Sequence, residues 1–336
     1  MASFIDLDKG EYLIQFGALM HSQLNKIARA GFGYGLTAKE EYNLGDRILG
    51  FLVLARPIFL ILTPLNAASA AVLGLGGYPL WSQCLLGFCV VAFAGAAVNT
   101  FNDYVDVERD RYLWQTRPIP SRRVRPGEVL VLVVILCAAS LSMAWFLFNP
   151  LTFLVLFLAV ILGFLYSAYL RDKVGYLSLP PIVGLIYLGG WAAFSPETLF
   201  SSLLPWYLYL LGVAWQAAHI MVYYPLHITN NIDSKLGAKV PPAFFFMPSP
   251  QVAVGIGMGF ICLTLLLSIL LPLLAPLGAL YLVLVLGVGI YALSSGLGLL
   301  RDTQNREKGL KAFASLTIFR LTISAAILLE VFLTQI

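Results

Sequence analysis

Along the chain, apolar runs of roughly 20 residues recur between short polar, glycine or proline breaks, the length one helix needs to cross a hydrocarbon core of roughly 30 Å. These runs fall near 50–75, 81–103, 127–147, 151–169, 175–195, 203–226, 250–272, 274–299 and 312–334. They predict an all-α integral membrane protein with nine transmembrane helices. Two breaks are slight, at Asn149-Pro150 and around Pro272 and Pro276. An apolar stretch of about 45 residues exceeds any single crossing, so each is read as two spans. Composition agrees: 60% of residues are hydrophobic and 11% charged, with a mean hydropathy of +0.85, where a soluble domain carries about 25% charged residues. Cys84, Cys89, Cys137 and Cys262 all lie within apolar runs without metal or disulfide spacing, and are read as small buried hydrophobes.

Charge orients the spans. With nine spans and a cytoplasmic N-terminus, the cytoplasmic segments are 1–48, 104–126, 170–174, 227–249 and 300–311. Of the 21 lysines and arginines, all but Arg56 and Arg320 fall in them, and those two are placed near the cytoplasmic ends of their helices. So one-sided a distribution follows the positive-inside rule. Residues 1–47 form an N-terminal segment ahead of a transmembrane domain at 48–336, with nothing resembling a signal cleavage site. In that segment Tyr12, Leu13, Phe16, Leu19, Met20, Leu24 and Ile27 recur at helical spacing beside Lys26 and Arg29. The pattern fits an interfacial amphipathic helix or a partly ordered tail.

The second span runs into an acidic segment. Asn99, Asn102, Asp103, Asp106 and Asp110 occupy positions 0, 3, 4, 7 and 11, an arc of about 100° on one helix face, with Glu108 on the other side. Three carboxylates and two amides make an oxygen-only site of the kind Mg²⁺ takes, usually shared with phosphate oxygens. The competing reading is a helix end whose acids pair with nearby arginines; like charges at i, i+4 repel and favour the metal. Arg117, Arg122 and Arg123 follow, with Arg117 fixed beside Pro118 and Pro120, and guanidinium groups suit phosphate oxygens. Acids and arginines together predict a diphosphate cradle. The fourth span ends with Tyr166 and Ser167, then Arg171 and Lys173, bringing a phenol and two cations to the same face. At the end of the sixth span, four helices later, stand His227, Thr229, Asn230, Asp233 and Lys235. That interval hints at two related four-helix halves plus a final helix. Asn230 and Asp233 are candidates for a second metal ion, while His219 and His227 are read as packed or hydrogen-bonded.

At these residues the sequence resembles the UbiA superfamily of intramembrane prenyltransferases. Asn102, Asp103, Asp106 and Asp110 match the first motif, N-D-x-x-D-x-x-x-D, without a gap; Asn99, Arg56-Pro57, Arg117-Pro118, Tyr166-Ser167, Arg171 and Lys173 match its other signatures. The second motif, D-x-x-x-D with a later glycine, is met at Asp233 and Gly237, but Thr229 stands at its first aspartate. The resemblance covers about residues 50–335. It implies Mg²⁺-dependent ionisation of a prenyl diphosphate, the head group held by Asp103, Asp106, Asp110 and Asp233 with Arg117, Arg122, Arg123, Arg171, Lys173 and Lys235 around it. An unknown acceptor captures the carbocation; lipid bilayer is the medium and nucleic acid is not a partner. The altered second motif keeps open a terpene cyclase that needs no acceptor. A secondary transporter fits poorly, because mid-span polar groups are limited to residues such as Asn66, Gln216 and His219.

Overall fold

In hydrocarbon every backbone N–H and C=O must be satisfied within the chain, and helices do this segment by segment. The computed structural model describes residues 41–113, 115–229 and 249–335, and no strand occurs among them. In chain order the helices are α1 (Leu44–Leu54), α2 (Pro57–Leu75), α3 (Trp81–Val105), α4 (Val107–Leu113), α5 (Pro126–Met143), α6 (Pro150–Leu165), α7 (Leu179–Phe194), α8 (Leu204–Thr229), α9 (Pro250–Leu270), α10 (Ala279–Leu300) and α11 (Arg306–Gln335). The predicted N-terminal amphipathic segment and the cluster at Asn230, Asp233 and Lys235 lie outside the described residues.

Each predicted span contains a helix, and the breaks are chemically marked. Pro57, Pro126, Pro150 and Pro250 open helices at the first turn, where a missing N–H costs nothing. Asn149 separates the third and fourth spans as a cap, its side chain accepting from Thr152 N at 2.9 Å and donating to Ala192 O at 2.8 Å. Gly76, at φ 68°, ends α2 in the left-handed conformation a glycine adopts freely. The start of α10 is capped from another helix: Glu330 of α11 accepts from Gly278 N and Tyr281 N, both at 3.0 Å.

Eight helical stretches among the described residues are long and apolar enough to cross a membrane, with α1 and α2 together making the first. The predicted sixth span is the 26-residue α8, which carries Gln216 and His219 and falls outside those eight. The expected count of nine is therefore not reached among the described residues, where eight stretches qualify as spans. Large apolar side chains such as Phe146, Leu273 and Val283 face outward, as lipid contact requires. Trp81, Trp145 and Trp206 are exposed near helix ends remote from the acidic segment, the placement of an interfacial aromatic belt. The cysteines are not buried as expected: Cys84, Cys89 and Cys137 are half-covered and Cys262 is exposed on α9.

Helix neighbours repeat between the halves. In the first, α2 packs on α3 and α3 on α5; in the second, α7 packs on α8 and α8 on α9. The first helices of the halves, α2 and α7, pack on each other, and α11 closes the bundle against α10, α8 and α2. Among the described glycines, Gly190 of α7 has the closest neighbour, and a Cβ there would overlap the Ala67 backbone of α2.

Gly190→Ala should therefore lower the thermal midpoint in detergent, by about 1–3 kcal/mol or more of overpacking. Gly287→Ala on α10, with open space around it, should leave the midpoint unchanged or raised. Equal midpoints would contradict this account of the α2–α7 crossing.

Candidate active site

The predicted acidic face is interrupted at its centre. α3 ends at Val105, Asp106 caps it, and α4 resumes at Val107. The helical hydrogen bonds nevertheless continue, Asp106 N donating to Asn102 O at 3.0 Å and Asp110 N to Asp106 O at 2.8 Å. The acids thus stay on one side while the chain bends. Asp103, Asp106 and Asp110 are 3%, 4% and 1% exposed. Glu108 points away, exposed and paired with Arg111 at 2.9 Å.

Each buried carboxylate meets arginine. Asp103 accepts from Arg56 at 2.5 Å and Arg117 at 3.5 Å; Arg117 also donates to Asp110 at 2.5 Å. Arg171 grips Asp106 with two parallel bonds, 2.8 and 2.6 Å, and Arg109 adds a third at 2.7 Å. The repulsion that pointed to a metal is thus relieved here by guanidinium groups, the reading set aside in the sequence. Asn102 receives a 3.3 Å bond from Arg56 and donates to Ser167 Oγ at 3.2 Å, tying α3 to α6. A π-turn over Tyr166–Leu170 ends α6. Such turns redirect side chains at functional sites; this one leaves Tyr166, Ser167 and Arg171 buried and lining the cavity below.

Two of these groups carry no obvious sequence signal as ligands. Arg56 caps α2 in the left-handed region at φ 54°, a strained position for a side-chain residue that aims its guanidinium across to α3. Its only sequence mark is the Arg-Pro pair opening the first span. Arg109 follows Asp106 at i+3, a spacing that pairs charges on a helix.

From this cluster a cavity of about 1790 Å³ runs down the bundle. Arg56, Asn99, Asn102, Asp106, Arg117 and Arg171 line its head. Below them the wall is largely apolar, with Val98, Leu156, Val183 and Ile186 among its residues, down to Trp81 and Phe332 near the other end. Lys173 and Arg122 are exposed, and neither they nor Arg123 line this cavity. Arg122 and Arg123 instead border a separate 180 Å³ hollow with Tyr42, Arg47 and Arg125, Arg123 lying 4.8 Å over the Tyr42 ring. Arg320 is not near a helix end, contrary to expectation. It stands fourteen residues after Arg306 in α11, about 21 Å along the axis.

The donor set suits Mg²⁺ in kind, being all oxygen, and Asp110 Oδ1 is buried with no hydrogen-bond partner among the described residues. No three acidic, histidine or cysteine side chains converge among those residues, because the carboxylates turn toward arginines. Burial pushes Asp110 up to about 6, with Asp103 and Asp106 adding to the rise and Arg117 opposing it.

Arg117→Gln should strand Asp110 and destabilise the protein by about 3–5 kcal/mol; Asp110→Asn in the same chain should recover most of it. With Arg117 gone the folded-state pKa of Asp110 rises further above its unfolded value. The native state then holds the extra proton, and stability falls as pH rises through that pKa. The midpoint deficit of Arg117→Gln should be smaller at pH 5.5 than at pH 8. A deficit that grows on acidification would contradict the pairing.

Comparison with known proteins gives the family and the fold. The sequence profile of the UbiA prenyltransferase family matches residues 62–322. The 4-hydroxybenzoate octaprenyltransferase of Marinobacter nauticus is 29% identical over 208 residues, 60% of this chain and 64% of that protein. The digeranylgeranylglyceryl phosphate synthase of Thermococcus kodakarensis is 27% identical over 267 residues, 78% of this chain and 90% of that one. In structure, a UbiA homologue from Archaeoglobus fulgidus bound to GPP and Mg²⁺ superposes with a TM-score of 0.58 at 19% identity, covering 83% of this chain and 99% of that one. With its apolar helices and its cavity headed by buried acids and arginines, the chain is an integral, multi-pass membrane protein that belongs to the UbiA prenyltransferase family.

Proposed function

We propose that this protein binds a prenyl diphosphate with its head group at the acid–arginine cluster and its isoprenoid chain down the cavity, and transfers the allylic carbon to an acceptor. The observation that carries the reading is the continuity of one cavity from a charged head into an apolar shaft. A charged group joined to a hydrocarbon chain fits that shape, and lipid supplies both the substrate and the surroundings of the bundle.

The residues divide the work by charge. Asn102, Asp103, Asp106 and Asp110 would hold Mg²⁺, and Asn230 and Asp233, outside the described residues, would take a second ion. Mg²⁺ supplies Lewis-acid neutralisation of the leaving diphosphate. Arg56, Arg117 and Arg171, which now bind the carboxylates, turn their N–H groups to phosphate oxygens as the head group enters. Asn99 and Lys235 complete that shell; Lys173, Arg122 and Arg123 attract the anion from outside it. Donors fixed before the bond breaks stabilise charge that develops only in the transition state. Tyr166 sits beside Asp106 and Arg171, where its phenol steadies the departing group. The apolar shaft keeps water from the carbocation until the acceptor attacks. We place this face on the cytoplasmic side, because the described loops at the opposite end, 76–80, 195–203 and 271–278, contain no lysine or arginine.

Purified protein given GPP, Mg²⁺ and a panel of acceptors (aromatic acids, quinone precursors, porphyrin-type alcohols and glycerol phosphates) should release diphosphate as it forms a prenylated product, and Asp103→Ala should lower that release at least about a hundredfold, a typical loss for one electrostatic contact, while remaining folded in detergent. Unchanged release in the variant would make the acidic segment merely structural. Cyclic hydrocarbon formed from GPP without an acceptor would overturn the transfer step and leave ionisation standing.

A further inference from the structure

Halfway down the cavity is a cation that the proposed chemistry leaves unused. Arg320 is 5% exposed and lines the cavity from the middle of α11. Its guanidinium lies 4.4 Å over the Trp215 ring and beside the Tyr187 hydroxyl. Tyr187 in turn donates to Asn66 Oδ1 at 3.0 Å, an oxygen that also accepts from Ser324 at 2.8 Å. None of these contacts brings a negative charge. Among the described residues no aspartate or glutamate pairs with Arg320, and its Nε and Nη2 have no hydrogen-bond partner.

A buried cation without a counter-ion is costly, and within a membrane it marks a functional group. The two unmet nitrogens are informative as a pair. Nε–H and Nη2–H run parallel along one edge of the planar guanidinium, the edge that donates to both oxygens of a carboxylate. Both are covered, so engagement includes a turn of the side chain toward the cavity it lines. Gln216 and His219 line the wall beside it; His219 stacks on Trp215 with ring centroids 4.7 Å apart and is held by Thr317 at 3.3 Å.

We propose that Arg320, flanked by Gln216 and His219, is a carboxylate-binding subsite for an apolar second substrate. Asn66, which joins this network through Tyr187, is ten residues from Arg56, about 15 Å of helix. A ligand with its acid on Arg320 and its reacting end near the head group therefore carries an elongated apolar body between the two. The word substrate rests on the function proposed above; the binding does not.

The test is binding of 4-heptylbenzoate and of its primary amide to the detergent-purified full chain, by calorimetry, with no diphosphate present. The acid should bind about tenfold or more tighter than the amide, the worth of a charge-assisted hydrogen bond. Arg320→Gln should erase that preference, and Arg320→Lys, which keeps the charge but loses the fork, should reduce it. Equal binding of acid and amide to the unaltered protein overturns the proposal without needing any variant. A preference that survives in folded Arg320→Gln, or is undiminished in Arg320→Lys, overturns it as well. Diphosphate release from GPP is measured separately, so failure of this subsite and failure of the transferase reading give different results.

Discussion

Three buried carboxylates and four guanidinium groups hold the head of this bundle together. Charges so deeply buried persist only when paired, because desolvation of one ion costs several kcal/mol. The pairs also join separate elements: Arg56 caps α2, Asp103 lies in the last turn of α3, Asp106 stands at the break before α4, Asp110 lies in α4, Arg117 follows in the loop, and Arg171 follows the π-turn after α6. Removing one partner therefore disturbs several helix ends at once. The same network sets the chemistry, since each acid and each arginine present at the head is already a ligand for something of opposite charge.

On the proposed function, that arrangement gives the site two self-consistent states. In one, the arginines neutralise the acids, as the ion pairs show. In the other, a metal-bound diphosphate would offer the acids a cation and the arginines an anion, so both partners could be exchanged with little change in net pairing. Below the head, the wall becomes apolar and the helices are positioned by small residues such as Gly190 against Ala67. The apolar shaft makes Arg320 stand out, as the cation within it that lacks an acidic partner among the described residues.

Much of this was legible in sequence. Spans follow from hydrocarbon thickness, and the breaks at Asn149-Pro150 and Pro57 are chemical signals that act locally. The facing of Asn102, Asp103, Asp106 and Asp110 needs only the helical period, which the bend at Asp106 preserves. What could not be read was pairing between distant segments. Arg56 and Asp103 are 47 residues apart, and Arg171 and Asp106 are 65 apart, so no spacing rule connects them. Arg122 and Arg123 follow Arg117 closely, yet a left-handed turn at Arg122, φ 61°, sends them to another surface. The depth of Arg320 was missed for a related reason: α11 starts six residues before the apolar run predicted for it, which moves the arginine from near an end toward the middle.

The exchange of partners at the head is most directly tested by Mg²⁺ affinity measured with and without a non-hydrolysable thio-analogue of geranyl diphosphate. If the arginines hold the carboxylates until a diphosphate arrives, Mg²⁺ binds weakly alone and at least about tenfold tighter with the analogue present, and the analogue tightens reciprocally with Mg²⁺. Equal Mg²⁺ affinity in the two conditions would contradict the account.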